Sequence, residues 1–517
     1  MKTFRDMWEL NRRRSRDLPA VVFGERRISH SELVNRASRL ASALSALGLK
    51  HQDRVSLLST NRAEWFDYYT AAEMFGFVAA TVNFRLAAPE ILYILNDCRP
   101  AVLIFEGQYT ETVASLRSQL PDIRHFVCLD EPCPDWALHY AELLASGDSG
   151  GIPVHPSPSD LVRLLYTSGT TGKPKGVARS QSADLIAAQA AYTNMAFKPL
   201  SSCLLSMPMF HLGGQVIAAG MHWGGGTVHL HSTFNPVATL RAIDKEEIEM
   251  TLMAPVMLQQ ILDVPDIGSY DLSSLSCICY SAAPIGLPVL KRALRIFGPI
   301  LVQVYAQTES GQGTALYACQ HRLDEGAHHM RRLSSVGGEN QFVQLRVVDP
   351  AGQDCPVDTP GEILIKSDAA MSYYWNNPAA TAETLRNGWI FTGDIGKFDE
   401  DRFLYLVDRK KDVIISGGEN IYCREVEEAI ISHEAVREVA VFGVADEKWG
   451  ESVKAIVILK DGYSASEREL IGHCVGVIAK YKIPKTVEFT DDFPRLPSGK
   501  VHKVALREMY ARQRNVS

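Results

Sequence analysis

Eleven residues from Tyr166 to Gly176, YTSGTTGKPKG, carry five hydroxyls, three glycines and two lysines, with no apolar aliphatic side chain among them. Such a run cannot be core. Opened to solvent, its backbone N–H groups and hydroxyls can wrap a polyphosphate, and Lys175 can add positive charge. The apolar run Leu161 to Leu165 just before it reads as the strand that delivers the loop. No Gly-Lys-Ser/Thr closes the segment, so the Walker pattern is not met.

Six further segments follow in a fixed order. Pro208-Met209-Phe210-His211 comes first, then the small-residue loop Ser281-Ala282-Ala283-Pro284, then Tyr305-Ala306-Gln307-Thr308-Glu309. Thr392-Gly393-Asp394, Arg409-Lys410-Lys411-Asp412 with the nearby Gly417-Gly418, and Pro497-Ser498-Gly499-Lys500 complete the set. With the phosphate loop they begin at positions 166, 208, 281, 305, 392, 409 and 497. In identity and order this resembles the adenylate-forming, AMP-binding superfamily, of the acyl-CoA synthetase type, along essentially the whole chain.

The resemblance implies an ATP-dependent carboxylate–CoA ligase, an AMP-forming acid–thiol ligase that makes an acyl-adenylate and then a thioester. ATP, Mg²⁺ and coenzyme A are the implied cofactors and co-substrates. The ATP/AMP site would be Thr167, Ser168, Gly169, Thr170, Thr171, Gly172, Lys175, Ala282, Ala283, Pro284, Tyr305, Thr308, Asp394, Arg409 and Lys411. Glu309 would supply the hard oxygen that a phosphate-bridging Mg²⁺ requires. Tyr305 would lay a flat face on adenine, and Asp394, supported by Arg409, would accept from the ribose hydroxyls. His211 would gate the carboxylate pocket. Lys500 would place an ammonium where charge gathers as a carboxylate attacks the α-phosphate, an effect worth roughly 3–4 kcal/mol in comparable oxyanion settings. Gly417, Gly418 and Trp449 would border CoA. Two positions depart from the family pattern: Ala306 where glycine is usual, and Cys423 where proline is common. Neither removes a charge or a ligand, so they bear on specificity.

Residues 208–232 and 281–314 look apolar with small side chains, which suits a fatty or aromatic acid better than an amino acid. An adenylation enzyme loading a carrier protein, a luciferase-like oxygenase and a non-catalytic nucleotide-binding paralogue are the alternatives. No carrier segment with its serine is present, and intact Glu309, Asp394, Arg409 and Lys500 speak against loss of catalysis.

The elements that must hold these loops alternate. A strand pair near Ala20 leads to an amphipathic helix carrying Leu33, Ala37, Leu40, Ala41 and Leu44 on one face. Helix to Phe75, a break at Gly76, strand Phe77 to Val82, helix Pro89 to Asp97 and strand Ala101 to Phe105 follow. Gly224-Gly225-Gly226 reads as a close backbone approach where a substrate chain passes. From about Leu333 short strands replace the alternation, as in a small β-barrel. Beyond the charge run at Asp408–Asp412 lies a compact α+β stretch. The expected fold is α/β: a large N-terminal domain of two α/β layers plus a small barrel over residues 1–408, and a mobile α+β domain over 409–517 that carries the hinge and Lys500.

At 517 residues two or more domains are expected. A net charge of −7 offers no basic field for nucleic acid. No run approaches the roughly 18 apolar residues of a membrane span. The charged N-terminus has no apolar core of a signal peptide, and the 10 scattered cysteines suit a reducing compartment, so a cytoplasmic enzyme is expected. Its partners would be a small carboxylic acid and CoA, with a homodimer left open.

Overall fold

The computed structural model describes residues 1–167, 173–323, 326–416, 419–446, 448–495 and 501–513. The chain divides into two compact units. The first comprises Met1–Leu345, Ile365–Phe391 and Arg402–Leu404, and the second Arg346–Leu364, Thr392–Asp401 and Tyr405–Ser517.

Two eight-stranded sheets build the first unit. One runs Thr314–Leu316, Leu301–Tyr305, Cys277–Tyr280, Met250–Met253, Ser202–Leu205, Thr227–Leu230, Pro19–Phe23, Arg26–Ser29, parallel except at its two edges. The other runs Tyr373–Tyr374, Lys175–Ser180, Leu161–Thr167, Val78–Val82, Arg54–Leu58, Val102–Phe105, His125–Cys128, Leu138–His139. Its first three strands are antiparallel to one another and the rest are parallel.

Side chains alternate across both sheets, which is why the strands read as continuous apolar runs. Val102 and Ile104 enter a core shared with the helices His30–Ala46, Glu64–Phe75, Gln181–Asn194 and Leu212–Trp223, whereas Leu103 and Phe105 face a second core with the helix Ala88–Cys98. In the other sheet Cys277 and Cys279 point into the shared core, and Ile278 and Tyr280 into a third core with the helices Pro255–Leu262 and Leu287–Phe297. All ten cysteines are free.

The N-terminal segment belongs to this core. Phe4–Arg14 is a helix that buries Phe4, Met7, Trp8 and Asn11. Within the triple glycine, Gly226 makes its close approach to the chain's own backbone, and Gly224 and Gly225 make theirs to side chains. A Cβ on Gly226 would lie 2.3 Å from the Ser201 carbonyl oxygen, and one on Gly224 would lie 2.6 Å from the Tyr192 ring.

Four charged side chains are also enclosed. Arg163 and Arg179 stand opposite each other on antiparallel strands, and Asp184, in the first turn of Gln181–Asn194, accepts from both. Arg163 also donates to Glu73, whose other oxygen takes the Trp8 indole N–H at 2.6 Å. The group is balanced, two positive against two negative charges. Removing one partner from such a buried set costs about 3–5 kcal/mol.

The stretch expected as a small barrel is a five-stranded sheet of Gln344–Val348, Gly361–Lys366, Trp389–Phe398, Leu385–Arg386 and Leu404–Arg409, with residues in both units. The second unit also holds Val436–Asp446 and Gly450–Leu459 as a long antiparallel pair, with Thr486–Phe489 parallel at one side. Val441, Val453, Ala455 and Val457 pack towards the helices Cys423–Ile431 and Glu467–Cys474, while Ala440, Phe442, Ile456 and Ile458 pack with Leu506 of the helix Lys503–Gln513. Among the described residues no helix is long and apolar enough to cross a membrane.

Candidate active site

In the first unit three of the segments singled out above leave the carboxyl ends of parallel strands of one sheet. Pro208–His211 follows Ser202–Leu205, Ser281–Pro284 follows Cys277–Tyr280, and Ala306–Glu309 follows Leu301–Tyr305. In open parallel sheets this edge is where ligands bind, because the loops there diverge while the strands hold their roots. Ser281 Oγ donates to the Val304 carbonyl at 2.7 Å and so ties its loop to the neighbouring strand Leu301–Tyr305. Ala282 holds φ at 73°, a left-handed conformation that costs energy for a residue with a Cβ. It presents itself, Ala283 and Pro284 exposed, and Tyr305 is half-buried beside them at the end of its strand. His211 caps the start of the helix Leu212–Trp223, with its ring 4.3 Å from that of Phe210.

The phosphate loop joins two antiparallel strands whose last described pair is Thr167 with Lys175. Ser168, Gly169, Thr170, Thr171 and Gly172 lie outside the described residues. At the base of that loop the two sheets meet at Glu309. Thr167 Oγ1 donates to Glu309 Oε1 at 3.3 Å, and Tyr374 Oη donates to the same oxygen at 2.8 Å. The Lys175 ammonium sits 5.0 Å from the centre of the Tyr374 ring. Burial, with the Glu309 carboxylate beside it, holds the Tyr374 phenol protonated, well above the usual tyrosine range. The Glu309 backbone is fixed as well, its carbonyl accepting from Met371 N at 2.8 Å. The preceding carbonyl, of Thr308, accepts from Arg179 Nη1 at 2.8 Å.

Glu309 therefore offers a rigidly placed hard oxygen. Among the described residues no group of three His, Cys, Asp or Glu side chains could hold a metal ion. That donor set fits a Mg²⁺ that keeps most of its coordination for phosphate oxygens and water.

In the second unit Asp394 and Arg409 come together. Arg409 Nε lies 2.6 Å from Asp394 Oδ1, with Asp394 buried and Arg409 about half exposed. The Thr392 hydroxyl donates to the Ile363 carbonyl at 2.7 Å and accepts from Asp394 N at 3.1 Å, which fixes the Thr-Gly-Asp turn. Lys410 pairs with Glu362 at 2.8 Å, and Lys411 lies exposed in the turn Lys410–Asp412. Cys423 is the first residue of its helix, a position whose N–H needs no partner and which therefore suits proline. Here its thiol donates instead to the Asp412 carbonyl at 2.9 Å. Ala306 is exposed with ordinary backbone angles, so the alanine is accommodated.

Gly417 and Gly418 lie outside the described residues, between the paired Ser416 and Glu419. Lys500 lies outside them too, between Arg495 and Val501, which form an isolated antiparallel bridge. Trp449 is 43% exposed and so is not a packing residue. The Lys448 and Lys485 ammonium groups lie 4.9 and 6.0 Å from its ring. Asp446, whose carboxyl the Lys485 hydrogen bond pulls down to about 2, accepts from the Trp449 backbone N–H at 3.0 Å.

Sequence reading passed over Tyr374, Arg163, Arg179, Asp184 and Glu73. A signal existed for Arg163, a charge set inside the apolar run Leu161 to Leu165. None marked Tyr374, which meets Glu309 only through tertiary structure.

Comparison with known proteins covers both units. Residues 8–375 match the model of the AMP-binding enzyme family, and residues 425–500 that of the AMP-binding enzyme C-terminal domain. An indoleacetate–CoA ligase of Aromatoleum aromaticum is 36% identical over 96% of this chain and 95% of its own. A long-chain-fatty-acid–CoA ligase of Mycobacterium tuberculosis is 35% identical over 94% of this chain and 93% of its own. Among solved structures, o-succinylbenzoate CoA synthetase of Bacillus subtilis, in complex with its acyl-adenylate intermediate, superposes with a TM-score of 0.85. It is 28% identical, covering 98% of this chain and 97% of that one.

Proposed function

The chain belongs to the AMP-binding enzyme family, and from that premise we propose which of its residues carry out the two half-reactions and on what acid. It is an ATP-dependent carboxylate–CoA ligase, AMP-forming, that works through an acyl-adenylate. The observation that carries the assignment of residues is the Glu309 carboxylate, held by Thr167 and Tyr374 at the base of the phosphate loop.

Thr167 to Gly172, with Lys175, wrap the phosphates of ATP. Glu309 would hold a Mg²⁺, which would supply charge neutralisation of phosphate oxygens. Tyr305 stacks on adenine, and the exposed backbone of Ala282, Ala283 and Pro284 meets the edge of the ring. Asp394, its carboxylate oriented by Arg409, accepts from the ribose hydroxyls, and Thr308 and Lys411 complete the nucleotide site. The acid lies near His211, and its carboxylate attacks the α-phosphate as pyrophosphate departs. Lys500 stabilises the charge that accumulates during attack and so acts mainly on the transition state. In the second half-reaction the CoA thiol attacks the acyl carbon and AMP leaves. Gly417 and Gly418 border the pantetheine arm, and Trp449 stacks on the CoA nucleotide, where Lys448 and Lys485 supply positive charge. Residues 1–408 form the adenylating domain and 409–517 a domain that turns about Lys411, in a cytoplasmic enzyme.

The acid is one with an apolar body, fatty or aromatic. One assay tests this reading. Pyrophosphate release is scored with CoA over an arylacetic acid, a hydroxycinnamic acid, medium and long fatty acids and an amino acid, and then with a carrier protein in place of CoA. An apolar acid with CoA is expected to be turned over fastest. Preference for the amino acid, or turnover only with the carrier protein, would overturn it.

A further inference from the structure

Arg179 lies within the first unit, fully buried on the strand Lys175–Ser180, and no step described above uses it. Its guanidinium spends all three nitrogens on fixed partners. Nε donates to Asp184. Nη1 donates to the Thr308 carbonyl and Nη2 to the Ala369 carbonyl, each at 2.8 Å. Those carbonyls belong to the two segments that meet at Glu309. Thr308 precedes it, and Ala369 opens the stretch in which Met371 N binds the Glu309 carbonyl and Tyr374 binds its carboxylate. Gly311 closes the arrangement. Its φ is +69°, and a Cβ there would lie 2.1 Å from the Ala369 oxygen and 2.6 Å from Arg179 Nη2, so only glycine lets the loop pass.

A planar fork with donors in fixed directions can hold two carbonyls at a set separation, whereas an ammonium on a flexible stem cannot. Asp184 keeps the fork from rotating, and Asp184 is itself shared with Arg163, across the strand pair. Arg163 has the same burial and the same carboxylate, yet makes no hydrogen bond to either loop segment; its other partner is Glu73. The two arginines thus separate two roles, one confined to the core and one extended to the site.

We propose that Arg179 is a positioning residue for adenylation: its guanidinium sets the backbone of Thr308 and Ala369 and thereby the place of the Glu309 carboxylate. The inference rests on the metal-holding role given to Glu309 above. Misplacing a reacting group by about 1 Å can cost roughly 100-fold in rate, so a buried residue one shell away is able to govern the site.

The test compares Arg179→Lys with Arg163→Lys in the full-length protein, since lysine keeps a charge against Asp184 in both. Arg179→Gln, whose amide can still bond one carbonyl, stands in should lysine not fold. ATP binding is titrated by calorimetry at several Mg²⁺ concentrations, alongside pyrophosphate exchange and melting. Both lysine variants are expected to lose stability. Only Arg179→Lys is expected to raise the Mg²⁺ concentration for half-maximal ATP binding, by roughly 10- to 100-fold. In a Glu309→Gln background that extra effect of Arg179→Lys is expected to vanish, because two residues acting through one carboxylate are not additive. If Glu309→Gln shifts the Mg²⁺ requirement but Arg179→Lys behaves like Arg163→Lys, or stays additive, the positioning role is overturned alone. If Glu309→Gln leaves the requirement unchanged, the metal role of Glu309 falls and the inference with it.

Discussion

At the scale of single residues, the proposed chemistry rests on side chains picked out by type and order. Glu309 is the example: a carboxylate in a loop is usually a solvated acid, and here two hydroxyls converge on one of its oxygens. Trp449 is exposed with two ammonium groups beside it, which suits the proposed stacking surface. Lys500 yields the sharpest prediction at this scale. Lys500→Ala is expected to leave the protein folded, with a circular dichroism spectrum and melting midpoint close to those of the unaltered enzyme. It should lower ATP–pyrophosphate exchange by roughly 100- to 1,000-fold, the cost of one lost transition-state donor. Exchange at a near-normal rate would remove the lysine from the mechanism. Tyr374 and Arg179 were not legible, since neither the spacing of Tyr374 nor its neighbours distinguish it from a packing tyrosine.

At the scale of elements, continuous apolar runs in strands, the apolar face of a helix and a glycine break located most of the pieces. Glu64–Phe75 ends where the break at Gly76 predicts, and Val78–Val82, Ala88–Cys98 and Val102–Phe105 fall within one residue of the bounds that apolar runs and punctuation predict. Gly224 to Gly226 shows where such reading stops. Glycines announce a close approach but not its partner, and the partner is Ser201, with the Met221 and Tyr192 side chains. Gly226→Ala is therefore expected to destabilise the first unit by about 1–3 kcal/mol, as overpacked cores are. It should lower the melting midpoint without changing the ratio of the two half-reactions. A selective loss of turnover with long acids, at unchanged stability, would restore the substrate passage. The proposed hinge belongs to this scale too. Lys411→Pro fixes φ in the exposed turn, and Gly418→Leu adds bulk beside the proposed pantetheine path. Gly418→Leu is expected to keep pyrophosphate exchange and lose acyl-CoA formation, so that acyl-adenylate accumulates and is visible by mass spectrometry after acid quench, whereas Lys411→Pro, which also takes a side chain out of the proposed nucleotide site, is expected to lower exchange and to lower acyl-CoA formation further. Equal loss of both half-reactions would argue against a turning domain.

For the whole molecule, burial of polar groups sets the response to pH. Desolvation lowers His30 to about 4, His222 to about 3, His229 to about 4 and His321 to about 4. Each is neutral in the folded protein, whereas in the unfolded chain it titrates near 6.5. Their contribution is fully present above pH 6.5 and is lost as the pH falls towards 4, because the unfolded chain binds protons that the folded one does not. Each contributes of order 1 kcal/mol between pH 7 and 5.5. The melting midpoint is expected to fall over that interval, and an unchanged midpoint would contradict it. The sequence by itself determined the family, the reaction and the order of the site segments, because those depend on residue identity along the chain and on short-range periodicity. Only the tertiary structure decided that Thr167, Tyr374 and Glu309 meet, and that Arg163, Arg179, Asp184 and Glu73 neutralise one another in the core. Those contacts join residues 5 to 142 positions apart. Apart from Arg179 and Asp184, which share one strand–helix turn, their partners are chosen by which strands become neighbours, and no local pattern encodes that choice.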